Sequence, residues 1–378
     1  MTKNPGRHAL AAFAVFAASA AQASPGQDGF TDPVDGRFDA SQWLLDRKGF
    51  LPVPIVVTEP AVGYGGGAAL LFFHRNEQTS TEGRPTPPDI SAVAAFGTEN
   101  DSKGGGVGHL GFSADRRWRY VVGAASASLN LTLYGAPGLA GRERGDGLGF
   151  NLDGTFAIAD VRRRFGDSEW WAGVRYVGSK LKSRFGSSEA ESILSGDLDT
   201  MLSGAGIIVE YDGRDNIFTP TRGVRLQVQT LRFSSALGSD RAFDHLRASS
   251  VGFWPLGTNV VVGLRADVQA VNGDVPFYAR PFIVLRGIPV MRYQGDRTAV
   301  AEIEARWNLD GRWSAVGFAG AGRAATDGNG LGSAPTRTTV GLGGRYLLAR
   351  ALGMHIGIDV ARGPEKTAYY LIMGSAWR

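Results

Sequence analysis

The feature that most constrains this chain is an alternation of charged and apolar residues, two residues in period, running through its second half. Between Val260 and Val271, Val260, Val262, Leu264, Ala266, Val268 and Ala270 alternate with a set that includes Arg265, Asp267 and Gln269. The segment Arg297 to Leu309 sets Ala299, Ala301, Ile303, Ala305 and Trp307 against Glu302, Glu304 and Arg306. Near the end, Met354, Ile356, Ile358 and Val360 alternate with His355, Gly357 and Asp359. Successive side chains of a strand point to opposite faces, so each segment has one oily and one charged face. In a soluble sandwich Arg265, Asp267, Glu302, Glu304, Arg306, Arg345 and Asp359 would fill the core, or their apolar neighbours would face water. A closed barrel with an apolar exterior and a polar interior accommodates both sets.

Sixteen segments fit such strands, near residues 52–60, 62–73, 89–98, 103–114, 117–133, 148–163, 168–184, 199–211, 222–233, 243–255, 259–271, 297–309, 311–324, 337–349, 353–361 and 366–377. The expected fold is all-β: a 16-stranded antiparallel transmembrane β-barrel with a short N-terminal extension. An even count returns both termini to the periplasmic side, where links are short, while the outer loops are longer. The links after strands 4, 6, 10, 12 and 14 are brief, for example Gly166-Asp167 and Leu256-Gly257-Thr258, and those after strands 5, 7, 9, 11 and 13 are longer. Two places break the rule. The segment His74 to Pro88 is long where a short turn is expected, and the first hairpin around Ala61-Val62-Gly63 is tight where a long loop is expected.

Residues 1–23 have the layout of a cleavable signal peptide: Lys3 and Arg7, an apolar stretch too short to span a bilayer, then Ala21-Gln22-Ala23. Its removal lowers 40 basic and 36 acidic residues to 38 and 36, a net charge of about +2 scattered along the chain, which gives no nucleic-acid footprint. The absence of cysteine excludes disulfides and thiolate metal sites. Residues 24–51 form a periplasmic extension in which Asp39 to Gly49 (DASQWLLDRKG) has the start, apolar patch and closing glycine of a short helix, and 52–378 form the barrel.

Two motifs carry a resemblance. Asp212, Arg214, Asp215 and Asn216, followed by Pro220 and Gly223, make a plausible turn after strand 8, since Asp-Gly and Asn permit the bend and Pro220 fixes one dihedral. The run Leu285-Arg286-Gly287-Ile288 places one arginine inside the apolar stretch PFIVLRGIPVMR, in the sixth outer loop. In order and spacing these resemble the Asp-x-Arg-Asp…Pro-x-x-Gly turn and the Val-Arg-Gly-Phe/Tyr loop tip of the bacterial surface antigen superfamily of outer-membrane barrels, the BamA/TamA-like family. The resemblance covers about Leu51 to the C-terminus, where Tyr369 to Trp377 looks like the final strand with its terminal aromatic. It implies that the sixth loop folds into the barrel, anchored by Arg286 and Gly287 against an inner-wall acid. The aromatic position is Ile288, and the Phe-x-Asp-x-Gly strand that usually supplies the acid reads Phe318-Ala319-Gly320-Ala321-Gly322. The candidate lumen partners are therefore Glu302, Glu304 and Asp359. No room precedes the first strand for the POTRA domains of the assembly proteins, so the chain resembles a POTRA-less branch.

The enzymatic signals fail. No phosphate-binding loop, nucleophile elbow or histidine cluster is present, so no catalytic residue, cofactor or metal is expected. Pro52, Pro54 and Pro60 share one parity in the first strand segment, which removes donors from a single edge. If that edge faces the last strand, Pro52, Pro54, Pro60, Gly374 and Trp377 mark a weak seam. The resemblance implies insertion or translocation of protein, or of lipid, at the bacterial outer membrane. Its partners would be outer-membrane lipid, lipopolysaccharide and client outer-membrane proteins. The alternative is a passive pore or structural barrel that has lost the assembly role.

Overall fold

The computed structural model describes residues 30–46, 50–58, 61–74, 89–115, 117–134, 147–186, 198–326 and 330–377. The signal segment, Pro60 and the link 75–88 lie outside them. One short helix, α1 (Ser41–Asp46), precedes sixteen strands in one antiparallel sheet in sequence order. These are β1 (Phe50–Val57), β2 (Gly65–His74), β3 (Asp89–Thr98), β4 (Lys103–Phe112), β5 (Trp118–Leu133), β6 (Leu148–Arg164), β7 (Trp170–Phe185) and β8 (Asp199–Asp212). The second half continues with β9 (Gly223–Phe233), β10 (Phe243–Leu256), β11 (Val260–Gly273), β12 (Arg297–Asn308), β13 (Trp313–Ala325), β14 (Arg337–Ala349), β15 (Met354–Arg362) and β16 (Thr367–Met373).

The register makes the two faces explicit. Arg265 lies opposite Glu302 and Leu264 opposite Ile303, so inward residues meet inward residues across the ladder. The outward set is a belt of exposed aliphatics that includes Val93, Val107, Val174, Ile207, Leu264, Ile303 and Leu342. Below it, at the starts of β5, β7 and β13 and the ends of β10 and β12, Trp118, Trp170, Trp313, Trp254 and Trp307 form an exposed aromatic girdle on one rim. An apolar belt bounded by aromatics is the outer surface that a membrane barrel presents to lipid and interface.

The barrel is nearly closed. The fifteen neighbouring pairs form ladders, but β1 and β16 touch without one. Both edge strands are short, 8 and 7 residues against 17 in β6. The differences from the sequence expectation lie here. The first strand occupies 50–57 rather than 52–60, and the last stops at Met373 rather than running to Trp377, because Gly374 takes φ +78° and turns the chain aside. The link from β1 to β2 correspondingly spans 58–64 rather than a tight bend at 61–63.

Candidate functional site in the barrel lumen

The sixth outer loop, between β11 and β12, dips into the barrel. Its apolar residues Ile283, Leu285 and Ile288 are buried with Val300. They need space on the inner wall, and β13 provides it: a Cβ at Gly320 would lie 2.7 Å from Leu285 Cδ2, and one at Gly322 2.7 Å from Ile283 Cγ2. The glycines of the Phe318-Ala319-Gly320-Ala321-Gly322 strand thus leave a groove that the loop fills. At the tip, Gly287 adopts φ +92°, and a Cβ there would meet the Gly363 nitrogen at 2.8 Å. Both the dihedral and the contact demand glycine. The Gly287 N–H donates to the Tyr370 hydroxyl at 2.8 Å, which ties the tip to β16.

Arg286 is buried among carboxylates. Its Nε donates to Glu302 Oε1 at 2.8 Å and its Nη1 to Asp359 Oδ2 at 2.6 Å. Glu304 Oε2 lies 2.8 Å from Nη1 but off the hydrogen-bonding line, so that contact is purely electrostatic. The guanidinium carbon also stacks 3.5 Å from the centre of the Phe318 ring. Burial of an arginine is tolerable only with such pairing, and the planar fork suits several acceptors at once. Arg345 grips Asp359 from the other side at 2.5 and 2.9 Å. The acids that strand parity places inward, Glu302, Glu304 and Asp359, are thus brought together on this one loop residue.

The turn that follows β8 does not stay at its own rim. Asp212 holds Arg214 through two bonds of 2.8 Å, Asp215 accepts from the Thr221 N–H at 2.9 Å, and Asn216 Oδ1 accepts from the Phe218 and Thr219 N–H groups. These internal bonds stiffen an excursion that reaches the C-terminal strands. Asn216 Nδ2 donates to the Leu352 carbonyl at 2.9 Å, and Arg306 Nη2 to the Pro220 carbonyl at 3.1 Å. Gly223, at φ +100°, releases the chain into β9.

The C-terminal tail departs from the expected final strand. The Gly374 N–H donates to the His355 carbonyl and the Ser375 N–H to the Phe218 carbonyl, and the chain then turns inward. Trp377 is buried beside Val251, Phe253 and Val261, and its Nε1 donates to Glu302 Oε2 at 2.8 Å. Glu302 therefore braces two elements: Oε1 the sixth loop, Oε2 the tail.

The edge strand β1 is equally specific. A proline cannot donate, so the unbroken ladder from Phe50↔Phe72 to Val57↔Gly65 must take its β1 donors from Leu51, Val53, Ile55 and Val57. The nitrogens of Pro52 and Pro54 therefore point to the other edge, the one facing β16.

Sequence reasoning missed two clusters. On the inner wall of β5 to β9, Arg162 is held by Asp160 and Glu210, and Glu210 also takes Arg119 and Arg225. At the rim that carries the short turns, residues 31–41 form a hook closed by the Thr31↔Phe38 bridge and clasped onto the β12–β13 and β14–β15 turns. Arg312, its side chain wholly buried, receives Asp32, Asp35 and Asp39, and Arg350 pairs with Asp32 and Asp35. Hydrogen bonding to Arg312 holds the Asp35 carboxyl well below the usual range. Burial would raise Asp39, but bonds from Ser41 and Arg312 outweigh it and leave it lowered. The backbone N–H groups of Trp313 and Arg312, with Arg37, bring Asp310 to about 2. The signal was present as three acids within the eight residues Asp32 to Asp39, facing arginines in two short turns.

Residues 123–283 match the model of the Omp85 superfamily domain. The fold resembles BamA from Haemophilus ducreyi lacking POTRA domains 1–3 (TM-score 0.57, 11% identity, covering 86% of this chain and 70% of that one). It also resembles CdiB from Escherichia coli (TM-score 0.60, 12% identity, 85% and 62%) and CdiB from Acinetobacter baumannii (TM-score 0.52, 12% identity, 86% and 59%). The chain thus spans about three-fifths of the CdiB chains it matches. No curated protein sequence matches it.

Proposed function

We propose that this chain, an Omp85-superfamily barrel with the fold of BamA and CdiB, acts at the bacterial outer membrane. It would admit a client strand, or a lipid, through the junction of β1 and β16. The single observation that carries the reading is that junction: two short edge strands without a ladder, one of which turns proline nitrogens toward the other. An edge lacking donors closes weakly and leaves acceptors for an incoming strand. The sixth loop, pinned through Arg286, Glu302, Glu304 and Asp359, acts as the internal strut that keeps the β12 to β16 wall beside the seam rigid. The Asp212 to Gly223 turn braces the C-terminal strands from below.

The test is reconstitution. Liposomes carrying the protein should fold an added urea-unfolded outer-membrane barrel, or scramble a labelled phospholipid, faster than empty liposomes. Pro52→Val with Pro54→Val, which restores the missing donors, should lose that acceleration. Equal rates with and without the protein would sink the reading. A second reading, a passive pore, is favoured by the thinned inner wall of β2 to β5, where Gly67 and Ala125 remain exposed inside the barrel. Steady conductance, together with normal levels of other barrels on depletion, would select it.

A further inference from the structure

The lumen wall is electrically lopsided. Between the rims, β12 to β15 and the sixth loop balance Arg286, Arg306 and Arg345 against Glu302, Glu304 and Asp359. On β5 to β11, six arginines, Arg119, Arg162, Arg175, Arg225, Arg247 and Arg265, share the three carboxylates Asp160, Glu210 and Asp267, and Arg265 also lies 3.6 Å from Glu302, which already serves Arg286. Each arginine has a carboxylate partner, but the partners are shared, so this wall keeps a net positive charge that attracts anions into the bore.

The surplus is concentrated at one place. In the register of β9, β10 and β11, Val251 lies opposite both Arg225 and Arg265, and Ser249 opposite both Gln227 and Asp267. Arg247 is the next inward residue on β10. Ser249 is therefore surrounded by three guanidiniums on adjacent strands spaced about 4.8 Å apart. These residues line a half-open cavity of about 160 Å³, bordered by Val284 of the sixth loop and by Ala376 and Trp377 of the tail. That is more than ten times the roughly 10–15 Å³ a single water requires.

Each arginine is fixed from behind and has N–H groups to spare. Arg225 uses Nε and Nη2 on Glu210, Arg247 uses Nε and Nη2 on Asp267, and Arg265 uses Nη1 on the Val284 carbonyl. Nη1 of Arg225, Nη1 of Arg247, Nε and Nη2 of Arg265 and the Ser249 hydroxyl meet no acceptor among the described residues. Held forks with free donors around one hydroxyl match a multivalent oxyanion better than a chloride.

We propose that this cavity is a phosphate-type oxyanion site, gripped by Arg225, Arg247, Arg265 and Ser249 and bordered by the sixth loop and the C-terminal tail. The phosphate is either free or carried on a lipid headgroup. The site stands apart from the seam: it would persist in a barrel that inserts nothing.

The full chain in phosphatidylcholine nanodiscs, titrated calorimetrically with sodium pyrophosphate at constant ionic strength, should bind with saturation. Arg247→Gln with Arg265→Gln should weaken binding about tenfold or more, since two charge-assisted bonds are removed. Ser249→Phe, which fills the cavity and leaves every ion pair in place, should do the same; retained heat-modifiable electrophoretic mobility verifies folding of both. Native mass spectrometry after transfer from phosphatidylglycerol nanodiscs into neutral detergent separates the sources. A retained glycerophospholipid that disappears in the variants identifies a headgroup, and pyrophosphate binding alone identifies a free anion. Absence of both, or binding unchanged in the two variants, overturns the proposal.

Discussion

Replacing Arg286 by methionine isolates the sixth-loop anchor. The side chain is 8% exposed and contacts three carboxylates, so its loss leaves buried charge uncompensated, a change that costs about 3–5 kcal/mol. The lower end applies, because Asp359 keeps both bonds from Arg345, and Glu302 keeps Trp377 and lies 3.6 Å from Arg265. About 3 kcal/mol corresponds to roughly two orders of magnitude in the population of undocked loop. Hydrogen exchange reads that population directly, since the Ile283 and Ile288 amides donate within the loop, to the Tyr293 and Leu285 carbonyls. Exchange over residues 283–293 should accelerate about a hundredfold in Arg286→Met, with β5 to β7 unchanged. Arg286→Lys should fall between, because a point charge cannot fork among three acids. Exchange in Arg286→Met equal to that of the unaltered protein would refute the strut.

The same contacts set three further outcomes. Gly287→Ala, forced to hold φ +92° against the Gly363 nitrogen, should loosen the same loop by about 1–3 kcal/mol, whereas Gly166→Ala, with a positive φ but open space around it, should leave the loop's exchange untouched. Trp377→Ala removes a buried ring and its bond to Glu302, and should expose residues 374–377 to carboxypeptidase digestion that the unaltered tail resists. The hook is held by carboxylates whose folded pKa values are depressed, so its stability is full above the ordinary value of about 4 and is lost as protons bind below it. Protease protection of residues 30–46 should therefore fall between about pH 4 and pH 2, and Arg312→Met should abolish it at neutral pH.

Most strand boundaries were legible because each strand has two dissimilar faces, and a slip of one residue would put Glu302 and Glu304 in lipid. The same parity placed Glu302, Glu304 and Asp359 inward without saying which of them Arg286 meets. That depends on how far the loop descends, which the glycines of β13 set by leaving room for Leu285 and Ile283. The tail departs from the expected strand for a local reason: Tyr369 to Met373 alternates like any strand, and only the positive φ of Gly374 diverts residues 375–377 from that path. The hook and the Glu210 cluster escaped because their partners lie far apart in sequence, Asp35 being 277 residues from Arg312 and Glu210 91 from Arg119. Alternation fixes a side and is blind to distance.

The central claim is that the first and last strands meet without zipping. The chain has no native cysteine, so disulfide trapping tests this without background. Outward-facing pairs scanned along β1 and β16, such as Pro54→Cys with Leu371→Cys, are to be oxidised in lipid beside the ladder control Val122→Cys with Ala159→Cys on β5 and β6. The account predicts slow, incomplete linkage spread over several registers at the seam, and rapid linkage at the control. Seam linkage as fast as the control, complete and confined to one register, would contradict it.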